Sequence, residues 1–306
     1  MISRNQIWRA ASAPAALLSQ CAVSVPYVWG GSHTANHRLE LTAMHRGGTG
    51  TPLLLHGVSS TWRAWSPILA HLEAHHDVIA PTLPGHGGGP RLSRGTSPSV
   101  GALADGIEAV LDRLGLKEVH IAGNSLGGWV GIELARRGRA RSLVLFSPAG
   151  AWPSRRSIEF RATWLMLVLG TMRPWTEYAA NPLMRQLLLA AQVSFPERVA
   201  PEELAVSIRA NDAAPLVAAL ARAIPQNQVE PLAPDCGYPV RLAWGDRDRV
   251  LPCESFGSAM ESRLPGAETV TLSGAGHVPM SDDPTEVADL ILQITTGVDA
   301  AVRQEA

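Results

Sequence analysis

Gly123-Asn124-Ser125-Leu126-Gly127 sets a serine among small residues, directly after the strand-like run Val119 to Ala122 and before a helical pattern. A serine at the apex of a sharp strand-to-helix turn needs such neighbours, because its strained backbone crowds the adjoining chain. The turn lifts the hydroxyl clear of a sheet, and the helix N-terminus beneath it favours developing negative charge. His277 stands in Ser273-Gly274-Ala275-Gly276-His277-Val278-Pro279, a small-residue loop from which an imidazole can take a serine proton and later return it to a leaving group. Between the two, Gly245-Asp246-Arg247-Asp248-Arg249 offers two carboxylates. Asp248, three residues past Gly245, has room to turn back toward His277, whereas Asp246 sits in the tight turn and is the alternative. The acid's part is to hold the His277 tautomer and stabilise the imidazolium. His56-Gly57-Val58-Ser59 suits the other half of an oxyanion hole, with the backbone amides of Val58 and Leu126 converging on one point. In that arrangement His56 is structural, with a substrate contact as its other possible use.

Each of these residues must hang on an element. Pro52 to Leu55 is a short apolar run that reads as a buried strand, and Asp77 to Leu83, Val119 to Gly123, Ser142 to Phe146, Pro239 to Trp244 and Glu268 to Leu272 read as further strands. The alternation Leu39, Leu41, Ala43 predicts a further strand, followed by a turn at Gly47 to Gly50. Helical spacing recurs at Trp65 to Leu72, from Ser99 to Gly115, from Leu126 to Arg137, and from Pro284 onward with Asp283 at its start. Strands alternating with helices make a mostly parallel sheet covered on both faces. Between Trp152 and Pro234 no strand pattern occurs. Ile158 to Leu169, Pro182 to Ala191, Glu202 to Arg209 and Pro215 to Ala223 read as helices of an insertion.

Composition removes several classes of function. Twenty-six basic against 27 acidic residues give a net charge of −1, poorly suited to gripping nucleic acid. No apolar stretch reaches the 18 or so residues of a membrane span. The three cysteines, Cys21, Cys236 and Cys253, lack the paired spacing of a disulfide framework or zinc site, and no cofactor or metal is expected. His75-His76-Asp77 reads as a solvated helix end rather than a metal cluster, because adjacent residues point different ways. Residues 1–38 read as an N-terminal arm of a cytoplasmic protein. Their signal-like charge layout, with Arg4, Arg9 and an Ala-rich run broken by Ser12 and Pro14, leaves export as the alternative.

Five segments in order carry a family resemblance: Leu55-His56-Gly57, Pro84-Gly85-His86-Gly87, Gly123 to Gly128, Gly245 to Pro252, and Gly274 to Pro279. Over roughly Leu39 to Thr295 the chain resembles the α/β-hydrolase superfamily. The resemblance implies a central, mostly parallel eight-stranded sheet with helices on both faces and a helical lid inserted after the sixth strand, Ser142 to Phe146. The expected organisation is a core of residues 39–151 and 235–306 with a cap at 152–234. Ser125 separates the chain from haloalkane dehalogenases and epoxide hydrolases, which place an aspartate there. It looks instead like the serine relatives: carboxylesterases, lipases, thioesterases, lactonases, carbon–carbon hydrolases and cofactor-free haloperoxidases. A carboxylic ester of a small to medium, largely apolar molecule is the expected substrate. A thioester, a lactone or a ring-cleavage diketone is the alternative, and a binding protein on the same fold is the non-enzymatic one. Trp152, Phe160, Trp164, Trp175, Tyr178 and Phe195 make the cap aromatic. Trp152 and Trp164 are the candidate substrate contacts, although such residues equally serve to pack lid helices together.

Overall fold

The computed structural model describes residues 44–47, 52–92, 95–154, 156, 158–159, 178, 180–210, 219 and 227–305. Its strands are β1 (Met44–Gly47), β2 (Pro52–Leu55), β3 (Val78–Pro81), β4 (Val119–Asn124), β5 (Ala140–Phe146), β6 (Val240–Gly245) and β7 (Glu268–Leu272). They form one sheet of order β1-β3-β2-β4-β5-β6-β7. Only β1 runs antiparallel, against β3; all other pairs are parallel. Seven strands are thus seen among the described residues. The strand expected over Leu39, Leu41 and Ala43 lies outside them.

The described helices are α1 (Ser66–Glu73), α2 (Val100–Arg113), α3 (Leu126–Arg136), α4 (Pro182–Leu189), α5 (Pro201–Ala210), α6 (Cys253–Glu261), the short α7 (Pro279–Asp282) and α8 (Pro284–Glu305). A 3-10 turn, Trp62–Trp65, precedes α1. α2 begins where Ser99 caps it, the hydroxyl accepting from the Ala102 amide at 3.1 Å. It is followed by Gly115 at φ +72°, a left-handed stop that glycine takes without strain. Asp283 accepts from the Glu286 amide at 3.0 Å at the start of α8, and Pro284 occupies the first helical position.

The central strands are mostly apolar because both sheet faces are covered, and successive side chains enter opposite cores. Leu53, Leu55, Ile121, Leu143, Leu145, Leu242 and Trp244 share one cluster with α2, α3 and α6 residues such as Leu103, Val130 and Phe256. Leu54, Ala122, Val144, Phe146 and Ala243 share the other with Ile68 and Leu72 of α1 and Val287 and Ile291 of α8. α1 and α8 meet on that second face, which corrects the expectation for His76. It is buried, with Nε2 and the Thr295 hydroxyl hydrogen-bonded at 2.8 Å, because α8 covers the end of α1. His75 remains exposed.

Two of the helices expected between β5 and β6 are seen as α4 and α5. Most of Ile158 to Leu169 and of Pro215 to Ala223 lies outside the described residues, as do Phe160, Trp164, Trp175, Cys21 and the arm at 1–38. Cys236 and Cys253 are free thiols. No described helix is long and apolar enough to cross a membrane.

Candidate active site

The strand order reverses between β2 and β4: from β2 the chain steps to β3 on one side, then returns to β4 on the other. Loops leaving the carboxyl ends of two such strands diverge and open a crevice, the usual ligand position in open α/β sheets. β2 and β4 end in register, Leu55 opposite Gly123. The segment His56-Gly57-Val58 and the turn Asn124-Ser125 therefore emerge side by side. β6 and β7 also end together, Gly245 opposite Leu272, and release the loops of Asp248 and His277.

Ser125 has φ +53° and ψ −117°, a conformation that L-residues rarely adopt. Strain of this kind persists only where the surroundings over-determine it. Here the Ser125 amide donates to the Phe146 carbonyl at 3.0 Å, and the Ser125 carbonyl accepts from Ala149 at 2.9 Å and Trp129 at 3.2 Å. The flanking glycines follow from steric contact. A Cβ on Gly127 would lie 2.1 Å from the Leu55 carbonyl oxygen, and one on Gly123 would lie 2.5 Å from that of Gly127. A Cβ on Gly57 would lie 3.4 Å from Ser125 Cβ, so the chain after β2 passes directly over the serine. Leu126 opens α3, where the first-turn N–H groups have no partner within the helix. Val58, the other expected donor, follows Gly57 in the segment that passes the serine.

His277 Nδ1 donates to Asp248 Oδ2 at 2.7 Å, with the Asp248 side chain fully buried. The other carboxylate oxygen accepts from the amides of Val250 and Leu251, both at 2.8 Å. With Nδ1 protonated toward Asp248, Nε2 is left as the basic nitrogen. Asp246 turns elsewhere and accepts from the Gly274 amide at 2.8 Å. The structure thus brings Asp248, not Asp246, to His277.

His56 is completely buried and both of its ring nitrogens engage backbone: Nδ1 donates to Gly57 O at 2.7 Å, and Nε2 accepts from Leu83 N at 2.8 Å. Burial, with the neighbouring His86 ring adding to it, pushes its pKa well below the ordinary value. A neutral ring with both nitrogens used fixes the loop after β2 to the end of β3 and leaves no polar atom for a substrate. Trp152 packs edge-on against Trp129 and Phe256, with ring centroids 5.9 and 6.2 Å away, and donates its indole N–H to Asn227 O at 2.9 Å. That is a core position. Trp164 lies outside the described residues.

Two residues of the site were not singled out from sequence. Asn124 Nδ2 donates both to Phe146 O at 3.0 Å and to His277 O at 2.8 Å, joining the serine turn to the histidine loop across β5. The signal was its place inside the serine motif, where any residue type fits the pattern. Asp282 accepts three backbone N–H bonds around the same loop. No group of His, Cys, Asp and Glu among the described residues is arranged to hold a metal ion.

This fold and crevice define a class before any particular relative is considered. A family model described as the alpha/beta hydrolase family matches residues 53–290, and the chain belongs to that family. Among curated proteins it is similar to epoxide hydrolase EphH of Mycobacterium tuberculosis, 34% identical over 202 residues that span 63% of this chain and 93% of that protein. Among solved structures it is similar to a bacterial membrane phospholipase A described as a virulence factor, with a TM-score of 0.69 and 29% identity over 84% of this chain and 82% of that one. It is also similar to a thermophilic esterase from Thermogutta terrifontis, with a TM-score of 0.67 and 25% identity over 84% and 93% of the two chains. The likeness to an epoxide hydrolase holds although this chain carries serine at the turn.

Proposed function

We propose that the chain is a serine hydrolase that cleaves a carboxylic ester of a small to medium, largely apolar molecule through an acyl-enzyme on Ser125. The observation that carries this reading is the strained Ser125 turn at the strand-order reversal, combined with the buried Asp248–His277 pair. His277 Nε2 takes the Ser125 proton as Oγ attacks the ester carbonyl. The amides of Val58 and Leu126 hold the oxyanion that forms. The tetrahedral intermediate collapses as His277 gives its proton to the departing alcohol, leaving the acyl group on Oγ. Water, deprotonated by His277, then attacks the acyl carbonyl, and the acid leaves as Ser125 recovers its proton. Asp248 holds the Nδ1 proton throughout.

Serine at the turn argues against epoxide opening, whatever the similar mycobacterial protein does. A carboxylate that opens an epoxide becomes an ester, which water can cleave at its carbonyl. A serine hydroxyl would become an ether, which has no carbonyl to attack, and the enzyme would stop after one event. The phospholipase and the esterase among the similar structures support ester chemistry. Thioesters, lactones and ring-cleavage diketones present the same electrophilic carbonyl and are the substrates to try next. Residues 152–234 are proposed as the cap over this crevice.

Hydrolysis of p-nitrophenyl esters from acetate to laurate tests the reading, with Ser125→Ala beside the native chain. Turnover is expected in the native chain and not in the variant, and the chain-length optimum sizes the acyl pocket. Equal turnover by both would overturn the assignment of Ser125.

A further inference from the structure

His277 is held through its neighbours' backbone as well as through Asp248. The Gly276 amide donates to Asp282 Oδ2 at 2.7 Å, the Val278 amide donates to Gln192 O at 2.9 Å, and the His277 carbonyl accepts from Asn124. Asp282 is 1% exposed, and its second oxygen accepts from the amides of Ser194 and Phe195 at 2.8 and 2.9 Å. Arg198 adds a bond from its guanidinium to the Asp282 carbonyl. One buried carboxylate therefore clasps two segments far apart in the chain: the histidine loop, and residues 192–198 between α4 and α5. The approach is close. A Cβ on Gly276 would lie 2.9 Å from Gln192 O, 3.0 Å from Val193 Cα and 3.1 Å from Ser194 N.

The same stretch is tied to the other two loops of the crevice. Arg249, next to Asp248, donates to Ala190 O at 2.8 Å. Arg63, in the 3-10 turn after β2, forms a two-pronged ion pair with Glu203 of α5 at 3.0 and 2.6 Å. Residues 190–203 thus run as a strap over all three loops, and Asp282 is where the strap meets the histidine loop.

We infer that Asp282 is a positioning residue for His277, setting the histidine's height over Ser125 by tying Gly276 to the strap at Ser194 and Phe195. The catalytic meaning rests on the serine-hydrolase reading; the mechanical coupling does not. An asparagine at 282 has only one oxygen, so its amide group turns a donor toward one set of N–H groups and that link breaks. A glutamate keeps both oxygens on a longer arm. Displacing a proton-transfer group by about 1 Å can cost on the order of 100-fold in rate.

Hydrogen exchange followed by mass spectrometry on the whole chain reads the coupling without a substrate, and the rate of Ser125 labelling by a small fluorophosphonate reads its consequence. In Asp282→Asn, exchange is expected to rise at both 190–199 and 273–279. Labelling and kcat are expected to fall by roughly 10- to 100-fold while KM stays within a few-fold, and Asp282→Glu to recover part of the rate. Glu203→Gln, which loosens the strap at its far end, is expected to raise exchange near 203 alone and to leave labelling unchanged. Native exchange at 273–279 and native labelling in Asp282→Asn would overturn the inference. A Glu203→Gln variant that reproduced every effect would also overturn it, since any loosening of the strap would then suffice. Should the asparagine variant not fold, Asp282→Ser, which also lacks the second carboxylate oxygen, carries the same comparison, and native behaviour in both readouts overturns the inference. Failure of the native chain to label at all, with exchange still rising in Asp282→Asn, would remove the hydrolase reading and leave the coupling standing.

Discussion

At the scale of single residues, the structure separates side chains that share a sequence pattern. Asp246 and Asp248 sit two apart in one loop, yet only Asp248 reaches His277 while Asp246 caps the Gly274 amide. Asp248→Asn is expected to lower kcat by about 10⁴-fold, the loss typical when a histidine loses the partner that fixes its tautomer, with Asp246→Asn within a few-fold of native. Steady-state kinetics on one ester compares the two, and equal losses would contradict the assignment. Glycine choices are read the same way. Because a Cβ on Gly127 would overlap the Leu55 carbonyl, Gly127→Ala must shift β2 or α3. A loss of about 3 kcal/mol or failure to fold is expected, measurable by denaturant unfolding. The pattern around Ser125 was legible because sterics confine those positions to glycine and serine. Asn124 and Asp282 were not, since their roles depend on partners 22, 153, 88 and 6 residues away that no local spacing reveals.

Element boundaries followed from local chemistry wherever local chemistry decides them. Ser99 and Gly115 bracket α2, Asp283 and Pro284 open α8, and the runs expected as strands at 52–55, 119–123 and 268–272 are strands. Ser99→Ala is expected to cost about 1 kcal/mol of stability without affecting turnover, because the hydroxyl bonds only the Ala102 amide of its own helix. A thermal melt checks it. α6 was not anticipated: Cys253–Glu261 buries only Phe256, Gly257 and Met260, too sparse a stripe to signal a helix. The error at His76 has a different origin. Its burial is created by α8, more than two hundred residues later in the chain, and a helix end that looks polar in sequence becomes interior when another helix lies across it.

Across the described residues, burial lowers the pKa of four histidines: His56, His76, His86 and His120. His86 is pushed down to about 4 from an ordinary 6.5, burial outweighing its backbone hydrogen bonds. A histidine whose folded pKa is depressed binds its proton more readily in the unfolded chain, so its stabilising share is whole above 6.5 and is lost as pH falls toward the folded value. Between pH 6.5 and 5 His86 alone accounts for about 2 kcal/mol of lost stability. Denaturant midpoints at pH 7 and pH 5, above the range where most carboxylates titrate, are expected to differ accordingly; equal midpoints would contradict the neutral burial. We propose that Ser125, at the end of β4, acts together with the Asp248–His277 pair on the loops after β6 and β7. The most direct test of that arrangement is to treat the native chain with a fluorophosphonate and map the adduct by mass spectrometry. A single adduct on Ser125, absent in His277→Ala, is the predicted result. No adduct, or one on another residue, would contradict the account.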